Sequence, residues 1–391
     1  MQMDCTPKSG EPWRVGVLFS QTGVTAGIER TQLQGTLMAI EEINAGGGVN
    51  GREILPIVED PQSDPALFAA LAERLMTEER VSVLFGCYMS STRKAILPVV
   101  ERRNGLLLYS TLYEGFECSR NVIYTGAAPN QNGRQLADYL TREYGSRVYM
   151  VGSDYIYPYE SSRIMRELVL QRSGKILAEK YLPLNATQKA FAPVIRDIRR
   201  KQPDFIFSTV VGAATAHLYH AYAEAGFDPA RMPIASLTTS EAEISDIGVA
   251  ASRGHVTAAP YFDSIDSEAN RRFVARYRER FGEHERTNAS CEAAYFQVHL
   301  FAQALRIANC MDTDRLRDAI FGQEFDAPQG RVRIDPDNNH TYLWPRVGRV
   351  DADGRFEIVA DSPVAMKPDP YLVDHNAADE ADIRWRRQAA V

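Results

Sequence analysis

Short apolar runs of strand length alternate along this chain with polar turns and with segments of helical apolar spacing. The clearest instance is residues 81–117, VSVLFGCYMSSTRKAILPVVERRNGLLLYSTLYEGFE. Val81–Phe85 and Gly105–Leu108 are apolar almost throughout, which suits parallel strands covered by helices on both faces. Each run ends in hydroxyl-rich residues, with Tyr88, Ser90, Ser91 and Thr92 after the first and Tyr109, Ser110, Thr111 and Tyr113 after the second. Ligands of open α/β sheets bind at the carboxyl ends of strands, so the two clusters are expected to share one pocket.

The same alternation predicts strands at Val15–Ser20, Glu53–Val58, Asn121–Gly126, Arg147–Gly152, Lys175–Leu184, Asp204–Val211 and Pro233–Leu237. Leu33, Leu37 and Ile40 mark a helix by their spacing, and so do Leu67, Leu71 and Leu75, after Asp64 as N-cap and Pro65 at the first helical position. Pro98 is expected to kink its helix or mark a restart. His255–Tyr261 reads as extended, followed by helices near Glu268–Phe281, Cys291–Asn309 and Thr313–Phe321, and Phe325–Ile358 reads as β-hairpins.

This order predicts an α/β fold of two doubly wound lobes with three crossings, near Gly126, Ala258 and Phe325. Lobe 1 would hold residues 12–126 and 259–325, lobe 2 residues 127–258 and 326–372, and residues 373–391 would form a C-terminal arm.

Composition changes the picture little. The chain has 391 residues, of which 45% are hydrophobic and 24% charged, with a net charge of −7. That balance argues against a phosphate-binding surface, so direct nucleic-acid contact is not expected. Nor is membrane insertion, because no apolar run reaches the length of a span. The five cysteines are odd in number and fit no zinc pattern. They read as unpaired thiols of a reducing compartment. With an N-terminal stretch that lacks the basic-then-apolar signal pattern, this points to the cytoplasm; a periplasmic location is the alternative if a signal segment was removed.

The candidate chemistry is that of a binding site. Ser90 and Ser91 beside Cys87 have no histidine in the strand-end loops to act as base, and no phosphate loop or metal-ligand spacing appears. No cofactor and no enzyme activity are expected. Tyr88, Tyr109, Tyr155 and Tyr157 fall at three strand ends and suggest flat walls with hydroxyl tips. Ser90 either serves a ligand or caps the following helix, and Glu114 either accepts an amide N–H or caps a turn. Many neutral donors and acceptors around one carboxylate suit a small, uncharged, polar ligand.

The segments LFSQTGVTA, GCYMSSTRKAILPVVER, LYSTLYEGFE, GAAPNQN, GSDYIYP, STVVG, IASLTTSEAE, APYFDSID, DAPQGRVRI and PDPYLVDHN span nearly the whole chain. Through them it resembles type I periplasmic-binding-protein folds of the leucine/isoleucine/valine receptor kind, and more closely the amide-binding negative regulators of aliphatic amidase operons. The resemblance implies a two-lobed sensor that closes on a short aliphatic amide and controls an RNA-binding antitermination protein. It places amide contacts on Tyr88, Ser90, Tyr109, Thr111, Tyr155 and Tyr157, with Leu112 in the apolar wall, where the family pattern has proline. Urea receptors of uptake systems share the framework but carry Trp at the position of Tyr88. The alternative is therefore the solute receptor of an ABC-type urea or amide uptake system. Assembly into a homo-oligomer is left open by the sequence.

Overall fold

The computed structural model describes residues 10–372 and the short strand Arg384–Trp385. Strands β1 (Trp13–Leu18), β2 (Ile54–Glu59), β3 (Val83–Gly86), β4 (Leu106–Tyr109) and β5 (Val122–Tyr124) form a parallel sheet of order β2-β1-β3-β4-β5. Helices α1 (Ala26–Ala45), α2 (Pro65–Thr77) and α3 (Ser90–Arg102) connect them. Alternate residues feed different cores: Val83, Phe85, Leu106 and Leu108 face one side, and Leu84, Leu107 and Tyr109 the other. This two-sided burial is why the strands read as nearly unbroken apolar runs. Each fully buried side chain of this kind stabilises the lobe by about 1.5–3 kcal/mol.

Asp64 caps α2 as expected, its carboxylate accepting from the N–H groups of Ala66 and Leu67. Helix α3 runs without a restart through Pro98. Pro98 lies on the exposed face, where water can serve the carbonyl that proline leaves free.

The chain then enters a second lobe through α4 (Gly133–Glu143), β6 (Arg147–Ser153), α5 (Ile156–Gln171), β7 (Lys175–Leu182), α6 (Ala192–Lys201), β8 (Phe205–Thr209), α7 (Ala213–Glu224) and β9 (Ile234–Ser236). Two short helices missing from the sequence reading follow, α8 (Glu241–Ile247) and α9 (Val249–Ser252), and then β10 (Val256–Ala259). The chain returns to the first lobe as α10 (Glu268–Phe281), α11 (Ala289–Ala308) and α12 (Thr313–Ile320).

The expected third crossing needs correction. Strands β11 (Glu324–Ala327), β12 (Gly330–Ile334) and β13 (Thr341–Tyr342) form a small antiparallel sheet. Its Ala327, Val332 and Ile334, with Leu343, pack in the first lobe's core beside Val298 and Phe301. The chain thus crosses between Leu343 and Arg346, and not near Phe325, because the apolar face of this hairpin needs α11 as cover. Strands β14 (Arg346–Val350) and β15 (Phe356–Asp361) complete the second sheet beside β10, and Arg384–Trp385 (β16) pairs antiparallel with β15. The rest of the expected arm, 373–391, lies outside the described residues.

Candidate functional site

The strand-end hydroxyls of the first lobe meet a buried charge cluster. Ser90 Oγ donates to Glu114 Oε2 at 2.7 Å, and Arg93 Nη2 donates to Glu114 Oε1 at 2.8 Å. Arg93 Nε donates to Glu117 Oε1 at 2.8 Å, and Lys94 Nζ binds Glu117 Oε2 at 2.8 Å. Arg93 is completely buried, its guanidinium 4.8 Å from the Tyr109 ring centre and 5.1 Å from that of Tyr113. Burial alone would raise the Glu117 carboxyl; the Arg93 charge and hydrogen bonds outweigh it and bring it down to about 2.

The helix-cap reading of Ser90 and the turn-cap reading of Glu114 are thereby replaced. Met89 occupies the N-cap of α3, which has no side-chain cap. Ser90 is the first helical residue and spends its proton on Glu114, and Glu114 serves Ser90 and Arg93 instead of capping a turn. Tyr109 Oη donates to the Tyr88 carbonyl at 2.8 Å. Thr111 Oγ1 donates to the Cys87 carbonyl at 3.3 Å and accepts from Gln32 Nε2 at 2.9 Å.

Two neighbouring cavities lie between the lobes. The larger has a volume of ≈ 40 Å³ and is walled by Tyr88, Ser110 and Leu112 of the first lobe and by Leu237, Thr238 and Glu241 of the second. The smaller, ≈ 10 Å³, is lined by Glu114 and Tyr157 among others, and Asn132 and Leu237 belong to both. Of the residues expected at the site, Tyr88 and Leu112 line the larger cavity and Tyr157 the smaller. Ser90, Tyr109 and Thr111 lie behind these walls, tied into them by the bonds above. Tyr155 packs beside them in an apolar contact between the lobes, with Ile28, Tyr88, Met89, Leu184 and Ala242.

The larger cavity presents neutral polar groups. Ser110 Oγ accepts from Gln32 Nε2 at 3.0 Å, which leaves its own proton for the cavity. Glu241 is 1% exposed, and its Oε1 accepts from the Asp263 N–H at 2.9 Å. Burial, reinforced by the Asp263 carboxylate, pushes the Glu241 carboxyl well above the usual range, so it favours the neutral acid, a donor. The Arg286 guanidinium near it is held by both oxygens of Asp263, at 2.8 and 3.0 Å. TTSEAE follows the Pro233–Leu237 run, but Glu241 is not among the site residues expected from the sequence. No signal in the sequence showed that β10 and the Pro260–Phe262 crossing would wrap around it.

A water-sized sphere takes up about 10–15 Å³, so a cavity of ≈ 40 Å³ has room for a molecule of roughly three or four heavy atoms. Among the described residues no group of His, Cys, Asp and Glu could hold a metal ion, and no helix is long and apolar enough to cross a membrane.

A sequence model of the periplasmic binding protein domain matches residues 13–377. Leu/Ile/Val-binding protein homolog 6 of Brucella melitensis is 24% identical over 286 residues, covering 72% of this chain and 73% of its own length. The leucine-, isoleucine-, valine-, threonine- and alanine-binding protein of Pseudomonas aeruginosa is 23% identical, covering 80% of this chain and 83% of its own. In fold, the chain is similar to an ABC-transporter solute binding protein of Rhodopseudomonas palustris BisB5 in complex with 3,4-dihydroxybenzoic acid, with TM-score 0.82 and 22% identity over 91% of this chain and 98% of the other. It is likewise similar to LivJ of Streptococcus pneumoniae in complex with isoleucine, with TM-score 0.79 and 18% identity over 89% and 99% of the two chains. With its two α/β lobes and the cavity between them, this chain belongs to the periplasmic binding protein domain family.

Proposed function

We propose that this chain is a solute-binding protein that closes on a small uncharged molecule of the amide or urea class and serves as the receptor of an ABC-type uptake system. The observation that carries the ligand class is the ≈ 40 Å³ interlobe cavity, whose walls offer neutral donors and acceptors. Behind those walls Arg93 and Arg286 are each bound to carboxylates, and Arg346 donates to the backbone carbonyls of Pro260, Trp344 and Gln329. A benzoate or an α-amino acid carries ionised groups that cost much to bury unpaired, and both exceed the available volume. A primary amide or urea needs a donor for its carbonyl and acceptors for its N–H groups, and Ser110 and Glu241 are suited to such a role.

The uptake assignment follows the relatives, which are named as binding proteins of amino acids and as transporter components. A periplasmic location goes with it, and the cytoplasmic expectation finds no support among these relatives. A second reading, an amide sensor that holds an antitermination protein, is favoured by the extended motif resemblance from LFSQTGVTA to PDPYLVDHN.

Calorimetric titration with acetamide, propionamide, butyramide, urea, leucine and 4-hydroxybenzoate tests the ligand class. One equivalent of an amide or urea is expected to bind, with leucine and 4-hydroxybenzoate far weaker. Tighter binding of leucine or the benzoate overturns the proposal. The sensor reading requires amide and protein partner to weaken each other's binding by the same factor; equal amide affinity of the free and partner-bound protein removes it.

A further inference from the structure

The loop from Tyr113 to Glu117 in the first lobe lies against α5 of the second. Its inner half, Tyr113 and Glu114, lines the smaller cavity together with Tyr157, Ser161 and Ile164 of α5. Its outer half carries Phe116, which is 52% exposed and has φ 65°. That left-handed backbone is an outlier for a bulky residue. The loop is held in this shape from both sides. Gly115, at φ 94°, sits so close to the Pro370 carbonyl that a Cβ there would lie 2.7 Å from its oxygen. Tyr113 Oη donates to the Glu117 carbonyl at 2.7 Å, and Arg93 and Lys94 bind the Glu117 carboxylate.

The phenyl ring stands at the outer edge of the interface, its centroid 6.5 Å from that of Tyr371 in an edge-on contact. Above it lies the Arg163 guanidinium of α5, 4.6 Å from the ring centre. Arg163 is itself set in place by Glu160 at 3.0 Å and Glu167 at 2.7 Å on the same helix. Neither Phe116 nor Arg163 lines either cavity. Backbone strain at an exposed aromatic residue, spent on a contact with the other lobe, points to function rather than to folding of the loop.

We propose that Phe116 and Arg163 form a latch that sets the lifetime of the closed form, and with it the release rate of the bound solute. The inference rests on reading this chain as a closing solute-binding protein. A contact made only across closed lobes stabilises the closed state alone, so it shifts the population without touching the ligand. For an exposed cation–π pair the shift is roughly two- to fivefold.

The test uses single-molecule FRET between dyes on Glu78→Cys and Lys175→Cys, exposed positions on the two lobes, in a background with Cys5→Ser and Cys118→Ser. Closed-state lifetimes are read without ligand and with acetamide. Phe116→Leu and Arg163→Met should each shorten the closed lifetime by roughly two- to fivefold, the double variant no further than either single one, and Arg163→Lys less than Arg163→Met. Guanidinium chloride midpoints should stay within error of the native chain. Unchanged lifetimes in both single variants, or effects that multiply in the double variant, overturn the latch. If acetamide leaves the native lifetime unaltered, the ligand reading fails while the ligand-free lifetimes still decide the latch. A native chain that closes in neither condition overturns both.

Discussion

Tyr261 and Phe262 are neighbours in the chain but belong to different cores, Tyr261 to that of the first lobe and Phe262 to that of the second. Tyr261 Oη donates to Asn270 Oδ1 at 2.7 Å and lies 2.7 Å from Thr287 Oγ1. The Phe262 ring packs on Phe356, with centroids 4.8 Å apart, and closely over Gly348, where a Cβ would lie 2.8 Å from it. One peptide unit thus anchors the middle crossing in both cores.

Tyr261→Phe keeps the ring and removes these hydrogen bonds, leaving Asn270 Oδ1 buried without this donor. The expected cost is about 1–3 kcal/mol of stability, read as a lower guanidinium chloride midpoint. An unchanged midpoint would show that the anchoring comes from ring packing alone.

Arg93 holds two carboxylates out of water. Removing one partner of a buried ion pair typically costs about 3–5 kcal/mol, so Arg93→Met should unfold at far lower denaturant. Ser90→Ala withdraws one hydrogen bond to a charged group and should cost about 1.5–3 kcal/mol. A ligand role for Ser90 predicts instead a loss of ligand affinity with stability intact. Full native stability in that variant would return Ser90 to the role of a free ligand donor.

Glu292 is fully buried at the start of α11, where Gln329 Nε2 donates to it at 2.7 Å. Burial pushes its carboxyl up from 4.5 to about 8, against the opposing hydrogen bonds from Gln329. Between those values the native state keeps a proton that the unfolded chain has released. Its contribution is complete below pH 4.5, and is lost as pH rises toward and through about 8. Glu29, pushed up to about 7 by burial, acts in the same direction. His255 and His340, pushed down by burial from 6.5 to about 3, act oppositely, and only below 6.5. Stability should therefore fall from pH 6.5 to 8, and Glu292→Gln should flatten that fall by up to about 1.4 kcal/mol per pH unit. Equal slopes for the two proteins in denaturant titrations would show that Glu292 ionises normally.

Leu112 and Leu237 face the larger cavity from opposite lobes. Leu112→Ala opens room on the first-lobe side. Each methylene newly buried there contributes about 0.8 kcal/mol, so preference should move from acetamide toward butyramide by roughly fourfold per methylene. Calorimetry across the amide series measures this directly; a ranking unchanged from the native protein places the acyl chain elsewhere.

Much of the fold was legible along the chain because its signals are local. The near-continuous apolar runs at Val83–Phe85 and Leu106–Leu108 mark strands with both faces covered, and Asp64-Pro65 marks a helix start through its own backbone N–H groups. Strand ends rich in hydroxyls then place a polar site at the carboxyl edge of the sheet, and Tyr88, Leu112 and Tyr157 do line interlobe cavities. What the tertiary structure alone decided is which polar groups satisfy one another. Ser90 and Glu114 stand 24 residues apart, and no periodicity shows that a hydroxyl at one strand end will meet a carboxylate at the next. The lobe of the β11–β13 sheet was hidden for a related reason. Alternation shows that a hairpin has an apolar face but not which helix covers it, and α11, which also packs on α1, covers it here. The charge state of Glu241 likewise depends on burial by segments distant in sequence. Burial, unlike local propensity, is a property of the assembled lobes.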